Sequence, residues 1–253
     1  MTARGVEQPH RYFFVHIMKT AGSALRWRLL NHFGKEALYP AGDLDGADPV
    51  TLNLSVDLML ERVAARGDQI RVIAGHFPLR TAELIDGRLT TLTLLRDPVE
   101  RMLSYLRERS EKDEHRRLNT LEEIYDAHLG RADNNMTKML TLTPAEMSAS
   151  MFTRVDMSRN HLGRAKEALA GIDAVGLQEQ LDSFCEELGA RFGWRLGEPK
   201  LVNKTTPVEI PESLRARIAE DNAIDVELYE FATQLVGAGD GHHTAGEPVG
   251  TEQ

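Results

Sequence analysis

RYFFVHIMKTAGSALRWRLLNHF, residues 11–33, decides how the rest of the chain is read. Arg11 to Ile17 are mostly aromatic and β-branched, the composition of a buried strand. Leu25, Leu29 and Phe33 then recur at a four-residue step, the spacing of one helix face. Between the two runs lies a turn, MKTAGS, in which Gly22 lets the backbone come close to a ligand. Successive N–H groups of such a turn point at an anion, and the following helix presents its positive end to it. Lys19 adds a full charge, Thr20 and Ser23 add hydroxyl donors, and Ala21 completes the turn. A solvated strand-to-helix turn with a chance Lys-Thr fits the same residues, so other features must decide. The glycine follows the lysine instead of preceding it, unlike the G-x-x-x-x-G-K-[ST] nucleotide loop, which disfavours an ordinary ATPase.

The alternation of strand and helix continues outward. Gln69 to Ala74, Thr90 to Arg96 and Ile172 to Leu177 read as buried strands, and Leu58 with Arg62 and Leu103 with Leu106 mark helices between them. Strands joined through helices pair in parallel, which predicts an α/β fold: one three-layer domain with a central parallel sheet and a P-loop-like strand-turn-helix. Ligands of such sheets bind at the carboxyl ends of the strands. The domain is expected over residues 11–236. Residues 1–10 are expected to be a flexible N-terminus, and residues 237–253, rich in Gly and poor in bulky apolar groups, a disordered tail.

The 253 residues carry 39 Asp and Glu against 30 Lys and Arg, a formal charge of −9. That balance argues against nucleic acid or an anionic membrane as a partner. An anionic ligand then needs a local cluster of cations. The single Cys185 cannot form an internal disulfide, and no stretch approaches the roughly 20 apolar residues of a membrane span. A soluble, cytoplasmic protein without membrane insertion is expected; the oligomeric state is not encoded.

Two further strand ends carry chemistry. TLTLLRDPVERMLSYL, residues 91–106, ends a strand at Arg96 and opens a helix with Asp97 as N-cap, Pro98 at the first helical position and Glu100 completing a capping box. Ser104, two turns along, can face back towards Arg96, and a guanidinium with a hydroxyl suits a terminal phosphate. Asp97 after an apolar strand could also mimic the magnesium aspartate of a nucleoside triphosphatase, although capping accounts for it. QIRVIAGH, residues 69–76, ends a strand at His76. A histidine there is either a satisfied structural residue or a general base titrating near neutrality.

K-T-x-G-[ST] after the first strand and R-D-P-x-x-R-x-x-S after a later one together resemble the PAPS-dependent sulfotransferases (PAPS, 3′-phosphoadenosine-5′-phosphosulfate). The resemblance implies that Lys19, Thr20, Ala21, Gly22 and Ser23 hold the 5′-phosphosulfate, and Arg96 and Ser104 the 3′-phosphate. The Gly75-His76 pair is similar to the branch that includes uronyl 2-O-sulfotransferases, which implies that His76 is the catalytic base. DNNMTKML (133–140) and LVNKTTPVEIPESLRARIAEDNAIDVELYEFA (201–232) extend the similarity, with Lys204 and Thr206 closing over the nucleotide ahead of a long final helix. Met18, Ser23 and Lys138 depart from residues common in the family, which are proline, threonine and arginine. The activity implied is transfer of a sulfuryl group from PAPS to a hydroxyl of a carbohydrate, glycolipid or small metabolite. Lys19 would assist departure of 3′,5′-ADP, and no metal would be required. An ATP- and magnesium-dependent small-molecule kinase and a noncatalytic nucleotide-binding module are the rival readings. No motif encodes the acceptor, whose pocket is expected to draw on Asn31–Leu60 and Arg107–Ser158.

Overall fold

The computed structural model describes residues 10–111, 120–150, 155–197 and 210–240. Five parallel strands, β1 (Arg11–Val15), β2 (Leu38–Tyr39), β3 (Val72–Ile73), β4 (Leu89–Leu95) and β5 (Ala174–Leu177), lie in the order β2-β3-β1-β4-β5. The four predicted strands are present; β1, β3 and β5 are shorter than their apolar runs, and β4 keeps the predicted length one residue earlier. β2 has no signature in the sequence, since a two-residue edge strand is too short to show a period. β1 is central, pairing Phe13 with Ile73 of β3 and Val15 with Thr93 of β4.

Alternate side chains of the strands go to opposite faces. Phe14, Val72, Leu92 and Leu94 pack with Leu25 and Leu29 of α1 (Gly22–Phe33) and with Phe184 and Leu188 of α9 (Leu181–Phe192). Phe13, Val15, Ile73 and Leu95 join the other core, beneath α3 (Val56–Arg66), α6 (Asn135–Thr141), α8 (Arg159–Ala170) and α11 (Ala223–Asp240). The result is a three-layer α/β domain. A third cluster joins α4 (Pro98–Glu111), α5 (Leu121–Ala132) and α10 (Glu212–Asp221). Two short helices, α2 (Pro49–Leu54) and α7 (Pro144–Ser150), complete the set used below. Among the described residues no helix is long and apolar enough to cross a membrane.

Four expectations need correction. In α3 the buried residues are Met59 and Val63, one position on from the Leu58–Arg62 pair, because Arg62 spends its guanidinium on the Asp45 carbonyl and Glu61 at the surface. Glu100 turns its carboxylate to Arg215 at 2.8 Å, while Asp97 caps α4 as predicted by accepting from the Glu100 N–H at 2.9 Å. The long final helix is two helices, α10 and α11, with the break at Asn222. That residue's side chain accepts the Asn134 N–H and donates to the Ile218 carbonyl. α11 also runs to Asp240, past the expected domain end at 236; residues 241–253 are outside the described set.

Candidate functional site

β3, β1 and β4 are neighbours, so their carboxyl ends bring His76, Lys19 and Arg96 to one edge from positions 77 residues apart in the case of Lys19 and Arg96. A polar cavity of about 480 Å³ opens there. Lys19, Ala21, Gly22, Ser23, Arg96, Ser104 and His76 all line it. Thr20 does not; it is fully buried, and its hydroxyl donates to the Ile17 carbonyl at 3.0 Å, bracing the turn from behind. Lys204 and Thr206 lie outside the described residues.

The turn itself is shaped for an anion. Lys19 and Ala21 both have positive φ, 69° and 66°, a left-handed conformation that side-chain-bearing residues adopt at a cost of roughly 1–3 kcal/mol each. Alternation of this kind curls successive N–H groups into a concave nest, and the first N–H groups of α1 have no intrahelical acceptor. Arg96 donates to the Lys19 carbonyl at 3.3 Å, fixing the nest to β4, and its Nε is buried without a partner. Lys19 Nζ is held by Glu108 of α4 at 3.1 Å. An incoming anion therefore competes with a carboxylate for this lysine.

Gly22 has a reason that the sequence did not disclose. A Cβ there would lie 2.0 Å from Cδ2 and 2.3 Å from Nε2 of His16. The His16 ring is buried, stacked on Phe14 at 5.2 Å between centroids and tilted against His76 at 4.3 Å. Its carbonyl accepts from Nδ1 of His76 at 2.7 Å. A carbonyl can only accept, so Nδ1 of His76 carries the proton and Nε2 keeps its lone pair. Burial is the main cause that lowers the His76 pKa below the ordinary histidine value, outweighing the opposing bond to His16. His16 is depressed further, chiefly by burial and then by His76. The His76 N–H of the main chain donates to the Asn53 carbonyl at 2.8 Å, so both ring and backbone are fixed.

His76 also lines a second cavity of about 420 Å³, reached past Met18, Tyr105 and Arg109, which border both. The expected segments supply much of its wall: Leu54 and Val56 from the first, Ala127, Asn135, Met139 and Met147 from the second. A wider cleft along α2 meets the same histidine.

No known family model matches the chain, and no curated protein matches it.

The DNNMTKML segment builds the floor of the second cavity without joining the first. Asp225 of α11 accepts from the N–H groups of Met136 and Thr137 and from the Thr137 hydroxyl, at 2.7–2.9 Å, capping α6. Asn134 returns the contact by accepting from the Asp225 N–H at 3.0 Å. Lys138 is fully buried and paired with Asp133 at 2.6 Å, a structural ion pair away from both cavities. Sequence reasoning gave no individual role to His16, Glu108 or Arg109. His16 carried a weak signal, as a histidine just before the turn; the other two fall within the expected Arg107–Ser158 segment, which did not single them out.

Proposed function

We propose that this protein transfers a sulfuryl group from PAPS to an acceptor hydroxyl. The observation that carries the reading is His76, with Nδ1 tied to the His16 carbonyl and Nε2 free to act as a base, bordering both a cationic cavity and a second, mainly apolar one. The cationic cavity suits the nucleotide: the nest and Lys19 face one anionic end, while Arg96 and Ser104 supply a guanidinium and a hydroxyl for a terminal phosphate. The Arg96 Nε, buried and unpartnered, adds a further donor for such a phosphate.

In the reaction the acceptor oxygen bonds to sulfur as the bond from sulfur to the bridging phosphate oxygen breaks, the electron pair leaving with 3′,5′-ADP. His76 Nε2 takes the acceptor proton, and Lys19 offsets the charge growing on the leaving oxygen, released for that purpose from Glu108. Positioning and fixed cations supply most of the rate in such in-line transfers. A sulfuryl group carries less charge than a γ-phosphoryl group, so the reading requires no metal.

Calorimetry with 3′,5′-ADP, 5′-AMP and ATP, followed by assay of 3′,5′-ADP release from PAPS in EDTA with a panel of hydroxylated compounds, tests it. Tighter binding of 3′,5′-ADP than of 5′-AMP, lost in Arg96→Ala, is expected. Preference for ATP with magnesium would favour the kinase, and nucleotide binding without turnover of any acceptor a noncatalytic module.

A further inference from the structure

The second cavity specifies what kind of molecule meets His76. Most of its wall is apolar, contributed by Met18, Leu54, Val56, Pro78, Met139 and Met147. Its mouth continues onto exposed apolar surface at Leu54, which also borders the open cleft, and at Val50 beyond it. Of the described residues that line the cavity none is Asp or Glu, whereas Arg109 and Arg131 both do. In a chain of net charge −9 that composition disfavours a cationic ligand. A polyhydroxylated sugar is disfavoured as well, since each hydroxyl removed from water needs a partner and these walls offer few. The Tyr105 hydroxyl is already engaged with Nδ1 of His128 at 3.1 Å, and Arg109 lies over the Tyr105 ring at 5.0 Å.

One buried side-chain acceptor in the wall is unspent. Asn135 is 1% exposed, lines the cavity, and has its Oδ1 buried with no hydrogen-bond partner. It sits at the start of α6, whose first turn is capped by Asp225, so its backbone is fixed at the cavity wall. A buried acceptor left unpaired is costly, and a ligand donor that reaches it recovers that cost. The reacting hydroxyl has a single proton, and that proton is the one His76 takes. Asn135 is therefore matched to a second donor on the same molecule.

Resting on the sulfotransferase reading, we infer that the acceptor is an apolar molecule without positive charge that carries two donor groups, one hydroxyl for His76 and a second donor for Asn135. The cavity's about 420 Å³ lies in the range of sites for small organic ligands, ~300–1,000 Å³. Asn135 is a specificity residue in this account: it touches the acceptor and takes no part in bond making.

Calorimetry on the full chain, with and without saturating 3′,5′-ADP, tests this with 2,6- and 2,7-dihydroxynaphthalene, 2-naphthol, methyl glucoside and tyramine, the last a phenol carrying an ammonium. At least one dihydroxynaphthalene should bind tenfold or more tighter than methyl glucoside or tyramine, and about tenfold tighter than 2-naphthol, the size of one recovered hydrogen bond. Asn135→Leu should erase the margin over 2-naphthol and leave the affinities for 2-naphthol and 3′,5′-ADP unchanged. Ser148→Trp, at an exposed residue of the cavity wall, should weaken all three naphthalenes and leave 3′,5′-ADP binding intact, so the test stands even if Asn135→Leu fails to fold. Equal binding of the glucoside or tyramine, survival of the diol margin in Asn135→Leu, or indifference to Ser148→Trp overturns the inference. Loss of 3′,5′-ADP binding with the naphthalene pattern intact would instead remove the sulfotransferase reading and keep the cavity assignment.

Discussion

Substituting Gly22 by alanine separates two explanations for that glycine. Its backbone is not in the left-handed region, so alanine is conformationally allowed and, within a helix, favoured by up to ~1 kcal/mol, less at the first turn. The penalty has to come from the new Cβ, 2.0 Å from Cδ2 of His16 where ordinary contact is about 3.5–4.0 Å. The ring has little room to retreat, being buried between Phe14 and His76 just past the end of the central strand. Overpacking of this kind costs roughly 1–3 kcal/mol, which leaves Gly22→Ala less stable by about 1–2 kcal/mol after the helical gain. Urea unfolding of wild type, Gly22→Ala, His16→Ala and the double variant measures it, with the slope m checked for constancy. If the ring is the obstacle, the second substitution costs much less once the first is present, and the cycle returns a coupling of about 1–3 kcal/mol. A Gly22→Ala protein as stable as wild type, or one whose loss is undiminished in the His16→Ala background, refutes the packing explanation. Loss of 3′,5′-ADP binding without loss of stability would return Gly22 to its first explanation, close approach of backbone to an anion.

Lys19→Ala should lower turnover at saturating PAPS by about 10²–10³ if its charge follows the leaving oxygen, measured by 3′,5′-ADP release. Glu108→Gln, which releases Lys19 from a half-exposed ion pair, should tighten 3′,5′-ADP binding several-fold at low salt, the size of an interaction worth up to ~1 kcal/mol. His16 and His76 are held neutral in the fold with depressed pKa values, so below about pH 6.5 the unfolded chain binds protons that the folded one does not. Their contribution to stability is present above about 6.5 and is lost as pH falls, by up to about 1.4 kcal/mol per pH unit for each histidine, and urea midpoints should show a shallower slope in His16→Ala. The same depression places the acid limb of the reaction rate below pH 6.5. Lys138→Met should cost about 3–5 kcal/mol by removing the cation from its buried pair with Asp133, with much of the loss recovered in the Lys138→Met/Asp133→Asn double variant, as followed by thermal unfolding.

Much of the molecule was legible from residues near one another in sequence. Apolar runs marked four strands, the Asp97-Pro98 pair marked the start of α4, and the K-T-A-G-S turn between strand and helix marked one side of the polar cavity. These features depend on periods of two to four residues, on capping and on turn chemistry, all of which act within about one helical turn. Parallel pairing then required the loaded strand ends to share an edge. The sequence by itself determined the α/β class and the residues of that edge.

The tertiary structure alone decided what those residues face. Gly22 answers to a ring six positions back that has to be oriented by Phe14 and by His76, 60 residues away. The His76 tautomer is set by a main-chain carbonyl, which carries no signature in side-chain sequence. Glu108 reaches Lys19 only because α4 returns across the sheet edge, and Asn135 meets the cavity only because α11 clamps α6. Lys138, in a segment read beside the nucleotide motifs, turned out to be spent on Asp133 in the interior. Each of these depends on contacts between elements far apart in the chain, where direction and burial, and not residue type, decide whether a group is structural or available for chemistry.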